Sequence, residues 1–259
     1  MALIIVLIAL AIQRFVKFNS YSRQFDWAAH YFQWMSNRIK QITTGHGLIG
    51  LLILVVPVVL VTAIIFSLVY QLLGYLGAGV LQLALVWYCL DGRDIRKEPY
   101  GDATTEKILL QTYQHLFAVL FWYCVLGPVG LVLYICVSQL SQVAPRTLAS
   151  SEQETQHNGD HLYEYLSKTL GILDWVPVRL LGLSFALVGS FAAVFKLWMR
   201  KLFEGITDPP LLVVEWGQAA LAAESTEKSP LESTIDLVDR SLLVWLFVVL
   251  LVTVGVFLG

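Results

Sequence analysis

Residues 48–73 have the sequence LIGLLILVVPVVLVTAIIFSLVYQLL, a run without a single charged side chain. A helix needs about 20 consecutive apolar residues to cross the hydrocarbon core of a bilayer, and this run exceeds that length. Residues 75–90 form a second apolar run, which follows after Gly74 and ends before Asp91. The two runs therefore predict a transmembrane hairpin, and with it an integral membrane protein.

Four further apolar runs lie outward from this hairpin in both directions. They predict spans near residues 1–15, 116–140, 176–198 and 241–259. The polar segments 16–47, 91–115, 141–173 and 199–240 separate the runs. The chain is thus expected to be an all-α, polytopic membrane protein with about six transmembrane or membrane-embedded helices in a single membrane domain.

The composition agrees with this fold class. The chain is 57% hydrophobic and 14% charged, whereas soluble domains contain about 25% charged residues. Its 17 Lys and Arg against 19 Asp and Glu give a net charge of −2, which offers no basic footprint for nucleic acid. The cysteines Cys89, Cys124 and Cys136 lie inside apolar runs without metal-type spacing, so we predict neither a disulfide framework nor a metal site.

The distribution of Lys and Arg predicts the orientation in the membrane. Segments 14–47, 91–108 and 196–240 contain five, four and five basic residues, whereas segment 141–173 contains two. Basic residues are enriched in cytoplasmic loops. We therefore expect the N-terminus outside and the three basic segments in the cytoplasm. A re-entrant fourth span would move segment 141–173 to the other side.

The stretch Asp174-Trp175-Val176-Pro177-Val178-Arg179-Leu180 provides the first candidate site residues. Asp174 is a suitable N-cap, with Pro177 in the first turn of the helix that follows. Arg179 places a charge at the start of a membrane helix. Such a charge indicates either a binding site or a side chain that extends to the interface, and the sequence leaves both interpretations open. An anionic partner for Arg179 is expected in Asp174, Asp94 or Asp102.

Small residues follow on the same predicted helix. Gly182, Ala186 and Ser190 recur at four-residue spacing. Small side chains at this spacing let two membrane helices approach closely. We therefore expect this face to contact another helix.

The run 116–140 is interrupted by Gly127-Pro128-Val129-Gly130. Proline removes a backbone donor and glycine loosens the helix, and membrane helices tolerate such breaks where they are buried or line a cavity. Gly127, Pro128 and Gly130 are therefore candidates for ligand binding at the end of a half-helix. A simple packing kink is the alternative.

The segment from Asp91 to Asp102 combines carboxylates with basic residues at a membrane exit. Carboxylates such as those of Asp94 and Asp102 can hold Mg²⁺ beside a phosphate group. A solvated, charge-balanced loop is the more ordinary interpretation of the same pattern.

Two of these motifs resemble the AmpE family. They are the stretch from Phe117 to Gly130 followed by Tyr134, and the stretch from Leu173 to Leu180. AmpE proteins are bacterial inner-membrane proteins encoded alongside an anhydromuramyl-peptide amidase and linked to control of chromosomal β-lactamase. The resemblance implies a multi-pass sensor or accessory protein in peptidoglycan recycling and β-lactamase regulation, and it makes Tyr134 a candidate site residue.

The AmpE family in turn is similar to the CobD/CbiB family of cobalamin biosynthesis. The Gly-Gly-Pro-Pro-Gly and Pro-Ala-Arg-Leu elements of those synthases resemble residues 127–130 and 177–180. This resemblance implies the alternative function, a synthase that forms an amide on an amphiphilic substrate with ATP and Mg²⁺. The chain shows no phosphate-binding loop or hydrolase motif, so whether it is an enzyme stays open. Membrane lipid, a muropeptide or nucleotide ligand, and a second copy of the chain are the expected partners.

Overall fold

A computed structural model describes residues 5, 6, 8–10, 30, 31, 34, 47–90, 104–149, 156–202, 208–222 and 229–258. Every secondary-structure element in this part of the chain is helical. In chain order they are α1 (Gly47–Cys89), α2 (Thr105–Thr112), a π-helical turn (Tyr113–Phe117), α3 (Ala118–Ala149), α4 (Gln156–Val188), α5 (Phe191–Leu202), α6 (Pro209–Leu221) and α7 (Pro230–Leu258).

Within the described residues, four helical segments are long and apolar enough to cross a membrane. They are Ile49–Cys89, Thr105–Gln142, Glu164–Val188 and Pro230–Gly255. The expected count of about six is not confirmed. The runs 48–73 and 75–90 form two arms of α1, which meet at non-helical backbone at Gly74, and most of the predicted first span lies outside the described residues.

Two of these helices contain a corner at a glycine. Gly74 in α1 has φ 66° and ψ −159°, and Gly127 in α3 has φ 66° and ψ −151°. Backbone of this kind is essentially restricted to glycine, which lacks a Cβ atom. Each glycine therefore divides its helix into a first and a second arm, and at Gly127 this confirms the predicted interruption.

A second glycine three residues later permits each corner to be tight. A Cβ atom on Gly130 would lie 2.6 Å from the carbonyl oxygen of Trp122, and one on Gly77 would lie 2.2 Å from the Cβ of Leu73. Residues eight apart in a straight helix are separated by about 12 Å. The contact between positions 122 and 130 therefore shows an abrupt change of direction, and both corners share the pattern Gly-x-x-Gly.

Helix α4 contributes to both clusters of the hydrophobic core. The larger cluster gathers buried residues of the second arm of α1, α2, both arms of α3, α4, α6 and α7, with Trp216 and Trp245 among them. The smaller cluster joins the first arm of α1 and the second arm of α3 to α4 through Leu54, Cys136 and Leu166. Polar residues on α4 are consequently held at the centre of the molecule.

Small residues in α4 and just after its end allow α6 to approach closely. A Cβ atom on Gly182 would lie 2.2 Å from the Trp216 ring, and one on Gly189 would lie 2.7 Å from the Cβ of Ala220. Ala186 between them is fully buried. The predicted close contact is therefore present at Gly182, where the short helix α6 makes it, whereas Ser190, the third predicted position, lies after the end of α4.

The predicted boundaries around Asp174 are wrong. Helix α4 begins at Gln156 rather than near residue 176, so Asp174 and Pro177 lie in its interior and Asp174 is not an N-cap. The predicted span 176–198 is interrupted, because α4 ends at Val188 and α5 begins at Phe191. Packing of α4 against its neighbours offsets the backbone hydrogen bond that Pro177 cannot make.

The predicted polar segments between the spans also contain helices. Segment 141–173 holds the end of α3 and the first half of α4. Segment 199–240 holds α6, whose Leu212, Val213 and Trp216 are buried. Polarity in these segments marks the exposed faces of helices, since the opposite faces are packed.

Candidate functional site

The carboxyl group of Asp174 accepts two hydrogen bonds inside the helical bundle. The hydroxyl of Tyr113 donates to Oδ1 at 2.5 Å, and the hydroxyl of Tyr134 donates to the same oxygen at 3.0 Å. Asp174, Tyr113 and Tyr134 are 3%, 0% and 1% exposed, respectively. We call this group the Asp174 centre.

Three separate segments bring these side chains together. Tyr113 opens the π-helical turn, Tyr134 lies on the second arm of α3, and Asp174 lies in the middle of α4. Single π-helical turns inside α-helices are frequent at functional sites. The irregular turn is thus placed directly at the buried carboxyl group.

The Gly127 corner is what allows the two tyrosines to meet. Tyr113 and Tyr134 are 21 residues apart, which corresponds to about 31 Å along a straight helix. Their hydroxyls are held at 2.5 Å and 3.0 Å from one oxygen atom, a separation that only a bent chain permits. Gly127 and Gly130 therefore shape the centre although neither hydrogen-bonds to it.

Pro177 leaves the backbone carbonyl of Leu173, the residue before Asp174, without its helical donor. In a helix the N–H of residue 177 would donate to the carbonyl of Leu173, and proline has no N–H. The Leu173 carbonyl consequently loses its helical donor next to the buried acid. The side chains of the site are thus one carboxyl group and two phenolic hydroxyls, which are able to exchange hydrogen bonds with one another.

Arg179 takes part in a different set of contacts. Its guanidinium donates to the carbonyl oxygens of Trp175 at 3.0 Å, Leu202 at 3.2 Å and Lys201 at 3.4 Å. It also lies 4.1 Å from the centroid of the Trp175 ring. Two of these carbonyls end α5, where a cation is favoured by the helix dipole.

The structure therefore separates residues that the sequence placed in one polar site. Asp174 bonds to tyrosines of α3 and the π-helical turn, whereas Arg179 holds the C-terminal end of α5 against α4. Of the other candidates, Tyr134 contacts Asp174, and Pro128 opens the second arm that carries Tyr134. Asp94 and Asp102 lie outside the described residues.

Sequence reasoning missed Tyr113. It lies among polar residues, Gln114 and His115, at the edge of an apolar run, where a tyrosine is ordinary. Neither the π-helical turn nor the bend that carries Tyr134 towards it has a sequence pattern that identifies the pair.

The described part of the chain contains no group of three or more His, Cys, Asp or Glu side chains that could hold a metal ion.

Comparison with known proteins identifies a family. Residues 103–258 match the family model described as regulatory signalling modulator protein AmpE. The match begins just before α2 and extends into α7, so it includes Tyr113, Tyr134 and Asp174. No curated protein and no solved structure matches the chain.

Proposed function

The chain belongs to the AmpE family, and we propose that it is a multi-pass inner-membrane sensor or accessory protein of peptidoglycan recycling that regulates β-lactamase. The family description supports a regulatory membrane protein. The four long apolar helices agree with a location in a membrane. The inner membrane, the recycling pathway and the β-lactamase target are the finer parts of this proposal.

The Asp174 centre is the observation that carries the proposal. Ionisable groups inside membrane helices are costly and rare, and they mark functional sites by default. Two phenolic donors from both sides of the Gly127 corner make the shape of α3 depend on the state of one carboxyl group, which is what a sensor requires.

A muropeptide is the ligand that we propose for this centre. Muropeptides offer hydroxyl and amide groups, which can exchange hydrogen bonds with the carboxyl group of Asp174 and the hydroxyls of Tyr113 and Tyr134. A ligand that competes for Oδ1 would release one tyrosine and alter the Gly127 corner. The signal would then pass along α3 without any covalent chemistry.

The role can be tested in cells with an inducible chromosomal β-lactamase. A strain without the protein and the same strain supplied with the full chain are exposed to a β-lactam, and β-lactamase activity is measured. We expect induction to differ between the two strains and to return to the wild-type level with the supplied chain. Identical induction in both strains would contradict the regulatory role.

The ligand can be tested with purified protein in detergent. An anhydromuropeptide should raise the melting temperature of the full chain, because a ligand that binds the folded state stabilises it. Stabilisation that instead requires ATP and Mg²⁺ would overturn the sensor proposal in favour of synthase chemistry. A neutral disaccharide without the peptide serves as the matched control ligand.

A further inference from the structure

Helix α5 carries an exposed basic face, formed by Lys196 and Arg200, directly after a candidate membrane span. It begins at Phe191, after Gly189 and Ser190, and α4 with its span Glu164–Val188 precedes it. The indole nitrogen of Trp198 donates to the carbonyl of Arg179 at 2.9 Å. Together with the guanidinium contacts of Arg179 at the end of α5, this bond fixes α5 on α4.

The apolar side of α5 is a row of stacked aromatic rings. Phe191 and Phe195 stack with their centroids 5.0 Å apart, and Phe195 and Trp198 stack at 5.8 Å. Phe191 is nevertheless 52% exposed, and Met199 on the neighbouring turn is 47% exposed. At 100° per residue, Phe191 and Met199 lie on the same side of the helix, so large apolar groups reach the surface along one side of the basic face.

The basic face holds more positive than negative charge. Lys196 and Arg200 lie one turn apart, where side chains of a helix are neighbours, and both are exposed. Glu215 of α6 lies 3.2 Å from Lys201 but 4.0 Å from Arg200. Among the described residues, Glu215 thus lies closer to the more buried Lys201 than to Arg200.

An exposed pair of cations beside exposed apolar side chains is suited to a lipid. A helix with aromatic and basic faces lies at the membrane interface, where Lys and Arg meet headgroups and apolar side chains meet acyl chains. Basic positions next to membrane helices bind anionic headgroups, at about 1 kcal/mol per Lys or Arg. A soluble anion would gain nothing from the apolar surroundings.

We propose that Lys196 and Arg200 bind the phosphate of an anionic phospholipid, with its acyl chains along Phe191 and Met199. The pair would hold one lipid molecule at the junction of α4 and α5. Because Arg179 ties the end of α5 to α4, the occupied site would also stabilise the α4–α5 junction.

The test uses the full chain, purified in detergent, and measures binding of phosphatidylglycerol by native mass spectrometry and by thermal shift. We expect wild type to retain phosphatidylglycerol in preference to phosphatidylcholine. The Lys196→Gln/Arg200→Gln double variant should bind phosphatidylglycerol about thirtyfold more weakly. The exchanged pair Lys196→Arg/Arg200→Lys should keep most of the binding, since both charges remain.

Lys168→Gln is the matched control, because Lys168 is an exposed lysine on α4 that pairs with Glu164 at 2.7 Å. This variant should bind phosphatidylglycerol like wild type. Equal binding by the double variant and wild type would overturn the proposal. So would an equal thermal shift with inorganic phosphate, which would assign the site to a soluble anion.

Discussion

Arg179 shows how a membrane helix accommodates a buried charge. Its side chain is 5% exposed, and its guanidinium bridges the carbonyls of Trp175, Lys201 and Leu202. The last carbonyls of a helix have no intrahelical donor, so they are ready acceptors. The planar guanidinium can reach several of them at once, whereas the ammonium of lysine is a single point.

We therefore predict that Arg179→Lys destabilises the protein. Lysine keeps the charge but loses bridging hydrogen bonds, at a cost of about 2 kcal/mol. Thermal unfolding in detergent measures the change. Arg200→Lys is the control, since Arg200 is 65% exposed and its contact with Glu215 is 4.0 Å long. Equal melting of both variants would show that the bridging contacts of Arg179 contribute nothing.

The sequence identified Arg179 but not its partners. It indicated a charge that needs compensation, and it proposed Asp174, Asp94 or Asp102 as the source. The carbonyls of Trp175, Lys201 and Leu202 supply hydrogen bonds to this charge, and no residue pattern identifies them, whereas Asp94 and Asp102 lie outside the described residues. Asp174 and Tyr134 were recognised as candidates, whereas Tyr113 was not, because its contact depends on the bend at Gly127.

At the scale of elements, the corners at Gly74 and Gly127 determine where α1 and α3 change direction. Both have φ 66°, and both are followed three residues later by a glycine in close contact. The interruption at Gly127 was predictable from its Gly-Pro pair. The corner at Gly74 was predicted as the turn of a hairpin, and the structure places non-helical backbone at this residue between the two arms.

Replacement of Gly127 should strain α3. An alanine at φ 66° and ψ −151° is unfavourable whatever space surrounds it, and the expected cost is about 1–3 kcal/mol. Thermal unfolding of Gly127→Ala in detergent measures this cost. Gly255→Ala in α7 is the matched control, because a Cβ there meets nothing within 4 Å. A Gly127→Ala variant that melts like Gly255→Ala would contradict the corner geometry.

Helix boundaries were the least predictable feature of the elements. Asp174 and Pro177 form a plausible N-terminal sequence, yet α4 continues through both. Cap patterns describe local preference, which tertiary packing overrides.

At the scale of the whole molecule, the starts of α2 and α7 lie at the same end. Thr234 bonds to Thr105 at 3.4 Å, and Gln218 of α6 donates to Glu106 at 3.2 Å. A side chain at Thr104 and one at Ser229 therefore belong to the same side of the membrane. This agrees with the basic residues that place segments 91–108 and 196–240 together.

Single cysteines at Thr104 and Ser229 test this arrangement. On a background without Cys89, Cys124 and Cys136, both should resist a membrane-impermeant thiol reagent in intact spheroplasts, because basic segments remain cytoplasmic. Permeabilised cells provide the control for reactivity. Opposite labelling of the two positions would contradict the common end, and labelling of both would reverse the predicted orientation.

The fold class was predictable from hydropathy, whereas the number of crossings was not. Apolar length shows that a helix is able to cross a membrane, but it does not show whether a glycine ends the helix or bends it. The helix contact predicted at Gly182 was present, because small residues at four-residue spacing let another helix approach closely. The remaining contacts depend on which surfaces the corners bring together.

We propose that the Asp174 carboxyl group, rather than the fold around it, carries the function. The most direct measurement is β-lactamase induction with the Asp174→Asn variant in cells that lack the wild-type protein. Asparagine keeps the size and the acceptor oxygen for Tyr113 and Tyr134, so abundance and melting temperature should stay near wild type. Asp208→Asn, at an exposed position before α6, is the matched control. We predict induction equal to that of cells without the protein for Asp174→Asn and wild-type induction for Asp208→Asn. Wild-type induction with a folded Asp174→Asn variant would contradict this role of the Asp174 carboxyl group.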